Sequence, residues 1–474
     1  MILPDLPDLL AVLPPPGTLA GEAARAALVA PLFLLLFGAA EAWRALAHPP
    51  VEWTRKAVHT GGGVIAAGFP WIFASHWTVL VLGAAFGGIL WGTRKLGILG
   101  SVHGVERKSE GGMYYPLAIY LLFLVAGGTP AFYLISILAL VVSDTVAALV
   151  GTHYGRITFS VEAGDRRSLE GSAVFFLATF LGVHLPLLLL TDTGRAASVL
   201  IALQIALIVT FFEAVCLNGS DNLVVPLATY FLLVKMTPKP AEWIAEQLAA
   251  QLLLIALVSW VALRSRVLTV SGAIGATLFF YGAYSLGGPE WLVAPALALA
   301  GLVWVFRHFT RGGKAPRGDY QVAAVFYGTV VAAALVVANN ALETMVPAPP
   351  ALRDTDPLYG PYVGVLAGHL AMLALTWREP SPEAARWGNR VRAAALGVLC
   401  VVPAGVAVST RSPHAGAAAS AVVVALASFA LYAGLRWSRH VPRGPTSELR
   451  LQAAASLAAL AAVLPGYLSV LFKR

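Results

Sequence analysis

Charge is what this sequence has least of. Only 12% of its 474 residues are Asp, Glu, Lys or Arg, against 58% hydrophobic, and the mean hydropathy is +0.77. A chain so poor in charge cannot cover a water-facing surface with polar groups, which excludes an ordinary soluble domain. Cysteine is nearly absent: Cys216 and Cys400 lie in apolar segments far apart in sequence, which excludes a disulfide framework and reads as two buried thiols. The start of the chain lacks the basic residues and small-residue cleavage site of a secretory signal. It carries Asp5 and Asp8 instead, so no cleavage is expected. The apolar stretches are continuous rather than alternating, which excludes a membrane β-barrel. The net charge of +8 does not imply nucleic acid, and no nucleic-acid partner is expected. In a membrane chain, basic residues gather in cytoplasmic loops.

What is present is a succession of apolar runs of membrane-crossing length. They fall at 24–43, 57–74, 77–93, 113–126, 131–151, 169–190, 197–216, 221–236, 244–263, 268–286, 291–306, 319–338, 358–377, 393–410, 416–435 and 451–471. The expected fold class is all-α, a polytopic transmembrane helix bundle of about 16 spans (14–16). The uncertain member is 113–126, short enough to be a half-helix or a re-entrant segment. With the N-terminus outside, the alternate loops 44–56, 94–112, 152–168, 217–220, 264–267, 307–318, 378–392 and 436–450 hold 24 of the 32 Lys and Arg residues. The other 8 are Arg25, Arg195, Lys235, Lys239, Arg353, Arg411, Lys473 and Arg474. That bias orients the bundle with those loops in the cytoplasm. It makes the chain an integral, multi-pass protein, expected in a prokaryotic plasma membrane. Thr237-Pro238-Lys239-Pro240 interrupts the runs and divides the chain into expected domains 1–240 and 241–474. Polar residues inside the runs are frequent in the first and sparse in the second.

Asp144 stands out. It lies about seven residues before the cytoplasmic end of its run, or roughly 10 Å below the interface. A carboxylate there costs on the order of 2.5–3.5 kcal/mol, so it needs a partner or a water-filled cleft. Ala148, Gly151 and Gly155 follow at helical spacing and permit close approach by a helix or a ligand. Four further polar clusters border runs in the first half. Arg55, Lys56 and His59 begin one of them; Arg55 and His59 share a helix face, and the group serves phosphate binding or plain anchoring. Glu106-Arg107-Lys108-Ser109-Glu110-Gly111-Gly112 brings two acids, two bases and a diglycine that lets a ligand approach the backbone. Arg167, Ser168, Glu170 and Gly171 open another run, where backbone N–H groups favour anions and where Ser168 would equally serve as a helix cap. Glu213 ends a run, and Asp221 and Asn222 open the next across a tight Asn218-Gly219 turn.

All these clusters belong to the cytoplasmic face of the expected topology, so Arg55, Arg107, Glu110, Asp144, Arg167, Glu213 and Asp221 would surround one cleft. A mixed set of acids and bases at a membrane surface suits a nucleoside triphosphate, Mg²⁺ and a membrane-dissolved acceptor, because phosphoryl transfer needs mainly positioning and charge neutralisation. The residues expected to act on the acceptor are Asp144, Glu110 and Asp221, with Asp144 indispensable. Nucleotide and phosphate contacts are expected from Arg55, Lys56, His59, Arg107, Lys108, Gly111, Gly112, Arg167, Ser168, Gly171 and Asn222, and Mg²⁺ contacts from Asp144, Glu110, Glu213 and Asp221. His59, His103 and His153 have no zinc spacing, and Gly83-xxx-Gly87 reads as helix packing.

Five stretches occur in an order that resembles the polyprenol kinase family of dolichol, phytol and CTP-dependent diacylglycerol kinases: RKAVH at 55–59, ERKSEGGMYYPL at 106–117, SDTVAALVGTHYG at 143–155, RSLEGSAVFF at 167–176 and EAVCLNGSDNLVVPL at 213–227. The resemblance spans residues 50–236. It implies a multi-helix membrane enzyme that phosphorylates a lipid alcohol such as phytol, geranylgeraniol or a polyprenol, with CTP, or else ATP, as donor and with Mg²⁺. Diacylglycerol phosphorylation and lipid-phosphate cytidylyl transfer are the rival chemistries. A lipid transporter or scramblase built from two similar halves is the non-enzymatic rival, and a homodimer is a possible assembly. In the second half Leu268–Thr277 is faintly similar to the membrane family that contains phytyl-phosphate kinases. His369 stands there where Asp144 would stand if the halves were aligned, which argues against a second kinase site.

Overall fold

The computed structural model describes residues 13–104, 111–162, 165–309, 320–344, 355–376, 395, 398–399, 401–407, 414–437 and 445–472. The chain falls into two compact units, Met1–Ala249 and Ala250–Arg474, the division lying within one helix, Ala241–Ser265.

The first unit contains α1 (Leu19–Ala47), α2 (Val51–Ala67), α3 (Phe69–Ile72), α4 (His76–Leu96), α5 (Gly100–His103), α6 (Gly111–Ala126) and α7 (Pro130–Tyr154). A two-stranded antiparallel ribbon follows, β1 (Thr158–Glu162) and β2 (Asp165–Ser168), and then α8 (Leu169–Leu190), α9 (Arg195–Val215) and α10 (Asp221–Met236). The ribbon corrects the reading of 152–168 as a plain loop. Thr158 pairs with Ser168 and Phe159 with Arg167, which turns a charged connection into a rigid arm.

Helix α11 is Ala241–Ser265. The second unit continues with α12 (Val270–Gly287), a 3₁₀ turn (Pro289–Leu292), α13 (Val293–Phe309), α14 (Val322–Thr344), α15 (Tyr359–Thr376), α16 (His414–Trp437) and α17 (Pro445–Phe472). Its core is held by rings and satisfied polar atoms. Trp291 and Tyr362 sit with ring centroids 4.7 Å apart, and the Tyr362 hydroxyl donates to the Trp291 carbonyl at 2.8 Å. Asp356 accepts from Asn339 Nδ2 at 3.0 Å and from Trp291 Nε1 at 3.4 Å. In an apolar medium such mutual satisfaction is what lets polar groups be buried.

The fold is an all-α polytopic bundle apart from the ribbon. Among the described residues, 10 helices are long and apolar enough to cross a membrane. Their outward faces carry large apolar side chains: on α11, Leu253 is 68% exposed and Leu263 78%, a surface suited to lipid rather than water. The expected count of about 16 spans included runs that fold as shorter helices, among them α6 and α10 with 16 residues and α2 with 17. At 1.5 Å per residue, 16 residues reach about 24 Å, less than a hydrocarbon core of about 30 Å. Of these short helices, α2 and α10 begin at the candidate cleft and α6 at the apolar cavity beside it.

Candidate active site

Helices α7 and α8 cross at the ribbon end, and small residues decide how closely. A Cβ added at Gly171 would lie 3.3 Å from both Gly151 Cα and the Ala147 carbonyl oxygen, so the two backbones meet there with no room for a side chain. The stripe expected to admit either a helix or a ligand admits a helix at Gly151, while Ala148 and Gly151 also border the cleft. Ser168 caps α8, its Oγ accepting from the Gly171 N–H at 3.1 Å. At the other corner Asn218 and Gly219 adopt φ of 55° and 80°, the left-handed turn that this Asn-Gly pair favours, and α10 then starts at Asp221.

These local choices enclose a cleft of about 300 Å³ lined by Glu52, Arg55, Lys56, Asp144, Ala147, Ala148, Gly151, Thr152, Thr158, Arg166, Arg167, Ser168, Gly171, Ser172, Glu213, Gly219, Asp221 and Asn222. The first turns of α2, α8 and α10 all border it. Helix N-termini present unpaired N–H groups and the positive end of the dipole, so three of them favour an anion.

Asp144 is paired within the cleft. Lys56 Nζ lies 2.6 Å from Asp144 Oδ2 and also donates to the Asp144 carbonyl at 3.2 Å. His59 Nε2 approaches the same Oδ2 at 3.4 Å. Beside this pair Thr60 and Thr145 join α2 to α7 through their hydroxyls at 2.9 Å. The second charged group centres on Arg167, whose Nη1 lies 2.8 Å from Glu213 Oε1. Its Nη2 donates to the Cys216 carbonyl at 3.3 Å and stands 3.8 Å from Asp221 Oδ2. Burial works against the charge on Arg167, but Glu213 and then Asp221 outweigh it and hold the guanidinium above its ordinary pKa. Cys216 is buried beside this group, and burial pushes its thiol up to about 12.

The structure therefore brings Arg55, Lys56, Asp144, Arg167, Ser168, Gly171, Glu213, Asp221 and Asn222 to one cleft. His59, Gly111 and Gly112 line a neighbouring apolar cavity instead, and Arg55 and Asn222 border both spaces. Asn222 Nδ2 donates to the Gly111 carbonyl at 3.2 Å, tying the start of α10 to the start of α6. Arg107, Lys108 and Glu110 lie outside the described residues. Sequence reasoning missed Thr158, which reaches the cleft only because β1 pairs with β2, and it missed Tyr115, whose hydroxyl donates to the His59 carbonyl at 2.8 Å. A tyrosine in an apolar run gives no signal of that partner.

No group of three or more His, Cys, Asp or Glu among the described residues forms a metal cage. The donor chemistry nevertheless fits Mg²⁺ carried by a nucleotide, which is commonly held through one or two carboxylates and the phosphate oxygens. Asp144, Glu213 and Asp221 supply carboxylates to the same cleft.

Comparison with known proteins gives one informative relative. The chain is 36% identical over 194 residues to a phytol kinase of Synechocystis sp., an alignment that spans 40% of this chain and 82% of that protein. No family model matches, and no solved structure matches. An identity of this level over most of the relative's length shows common descent, and the chain belongs to the polyprenol and phytol kinase family.

Proposed function

We propose that the first unit transfers the γ-phosphate of a nucleoside triphosphate, CTP in the first instance, to the hydroxyl of an isoprenoid alcohol. The observation that carries this reading is the convergence of Lys56–Asp144 and Arg167–Glu213–Asp221 with three helix N-termini on one cleft. Anionic phosphates enter against the N–H groups and against Arg55, Arg166 and Arg167. The arginines hold phosphate oxygens through forked donors, while Lys56 acts as a point charge. Bound Mg²⁺ would neutralise charge developing on the phosphate oxygens, with Asp221 and Glu213 facing it.

Asp144 lies on the cleft side of His59, which itself borders the apolar cavity. We assign Asp144 to orient the acceptor hydroxyl and take up its proton. The alcohol oxygen bonds to the γ-phosphorus, the bond from phosphorus to the bridging oxygen breaks, and the nucleoside diphosphate leaves. Lys56 holds Asp144 in its anionic, correctly turned state. The cleft lies on the side of the basic loops, a placement that supports a reaction on the cytoplasmic face.

Purified protein in nanodiscs, offered phytol, geranylgeraniol and a polyprenol with CTP or ATP, tests the proposal by mass spectrometry. The expected products are a lipid monophosphate and the nucleoside diphosphate. Release of pyrophosphate with a cytidylylated lipid, or lipid movement without any phosphorylated product, overturns it.

A further inference from the structure

The polar cleft accounts for phosphate but offers nothing to a hydrocarbon chain. Beside it lies a second space of about 100 Å³, enclosed by α1, α2, α4 and α6. Its polar lining is confined to one end: Arg55, His59 and Asn222, next to the first turn of α6. Tyr115 also lines it, but its hydroxyl is engaged by the His59 carbonyl and it presents its ring. Away from that end the walls are apolar, with Phe33, Phe69 and Phe86 among them; Phe33 and Phe86 are in contact with ring centroids 4.2 Å apart. From Arg55 to Gly62 on α2 and from Gly111 to Ile119 on α6 the cavity follows the helices for roughly 10–12 Å.

Resting on the kinase reading, we infer that this cavity binds the acceptor alcohol, seating the hydrocarbon next to its hydroxyl and presenting the hydroxyl to Asp144 past Arg55, His59 and Asn222. Three observations support this. Arg55 and Asn222 belong to both spaces, so the two adjoin. His59, on the cavity wall, has its Nε2 buried without a hydrogen-bond partner, 3.4 Å from the Asp144 carboxylate. A buried ring nitrogen so placed is satisfied by an incoming hydroxyl. The cavity is also dry in character, being walled mostly by aliphatic and aromatic side chains, and such spaces bind apolar matter rather than water.

Size sets the specificity. A cavity of about 150 Å³ takes one benzene ring, so this one holds only the hydroxyl-proximal part of a long chain and leaves the rest to the bilayer. Discrimination therefore falls on bulk near the hydroxyl and hardly at all on total chain length.

Glycines supply the test. A Cβ at Gly83 would meet nothing closer than the Pro116 carbonyl oxygen at 3.5 Å, and one at Gly62 nothing closer than Phe33 Cε1 and Tyr115 Cε1 at 3.6 Å. Both positions accept a larger side chain that fills the cavity without touching the polar cleft. Gly83→Leu should raise KM for the alcohol at least about tenfold and leave KM for CTP within about twofold. In the unaltered protein, an isoprenoid alcohol with a diazirine next to its hydroxyl should crosslink to α2, α4 or α6. An unchanged alcohol KM, or crosslinks confined to residues that do not line the cavity, overturns the inference. Should Gly83→Leu fail to fold, the crosslink in the unaltered protein decides alone. Crosslinking within the cavity but no transfer to any alcohol leaves the binding site standing and removes the kinase reading.

Discussion

The two units treat the same kind of position in opposite ways. In the first, Asp144 borders a polar cleft of about 300 Å³ and is held by Lys56, with His59 close by. In the second, His369 stands in an apolar pocket of about 70 Å³, and its Nε2 meets the Tyr320 hydroxyl at 3.0 Å. Gly328 makes room for that ring, since a Cβ there would come within 2.4 Å of His369 Nε2. Both units also use a hydroxyl cap three residues before a glycine: Ser168 with Gly171, and Thr269 with Gly272. Gly171 faces the cleft, whereas Gly272 lies against the Tyr320 backbone, where a Cβ would meet its carbonyl oxygen at 2.2 Å. The lesson is that shared local devices do not make a shared site. A site needs charge that is only partly neutralised and space beside it; the pocket at His369 has space, but its lining carries no carboxylate or basic side chain besides the histidine.

The contrast is broken most directly at its centre. Asp144→Asn should lower kcat by at least about 10²–10³-fold, because it removes the charge paired with Lys56 that the proposed mechanism uses to take up the proton. His369→Asn should change turnover by less than about twofold. Steady-state assays on both variants check this pair, and near-normal turnover in Asp144→Asn would sink the assignment.

The next largest effect is on stability. Arg167→Met leaves the carboxylates of Glu213 and Asp221 facing one another without their cation, and should cost on the order of 3–5 kcal/mol. Unfolding in mixed micelles measures it. The double variant Arg167→Met with Glu213→Gln should recover part of the stability and none of the turnover, which separates fold from chemistry.

Packing in the second unit gives a smaller effect. The face Gly360, Gly364 and Gly368 of α15 meets α16 directly, and a Cβ at Gly364 would lie 2.5 Å from the Ala421 carbonyl oxygen. Gly364→Ala should destabilise by about 1–3 kcal/mol and leave KM for CTP unchanged. Gly171→Ala should destabilise comparably and also raise that KM, because Gly171 borders the cleft. Equal effects on KM would erase the distinction between the units.

The smallest effect concerns thiol chemistry. A thiol pushed up to about 12 is almost wholly protonated at neutral pH. With Cys400→Ser as background, Cys216 should resist maleimide in the native protein and react after denaturation; labelling on the native time scale would show that the Arg167 corner is open to solvent.

Much of the site was legible along the chain because an ionisable group in an apolar run is costly and so is seldom without purpose. That argument alone singled out Asp144 and Glu213, and the alternation of basic loops placed Arg55, Lys56, Arg167 and Asp221 on the same side. It could not separate Lys56 from His59. They are three residues apart on α2, yet Lys56 borders the cleft while His59 borders the apolar cavity, a division set by which neighbouring helix each side chain meets. The stripe from Ala148 to Gly155 was open to a helix or a ligand; only the fold shows Gly171 meeting Gly151 there, with Ala148 and Gly151 bordering the cleft as well.

By itself, then, the sequence determined the medium and the class. Continuous apolar runs must satisfy their backbone internally in lipid, which dictates helices. The order of charged motifs, together with the relative at 36% identity, determined the family. Tertiary structure decided what periodicity cannot encode. It paired 158–162 with 165–168 in a ribbon that carries Thr158 and Arg167 to the cleft, it set polar cleft and apolar cavity side by side at Arg55 and Asn222, and it placed His369 against the Tyr320 hydroxyl in an apolar pocket. Each of these depends on contacts between segments tens of residues apart, whose geometry is fixed by packing and not by any local pattern.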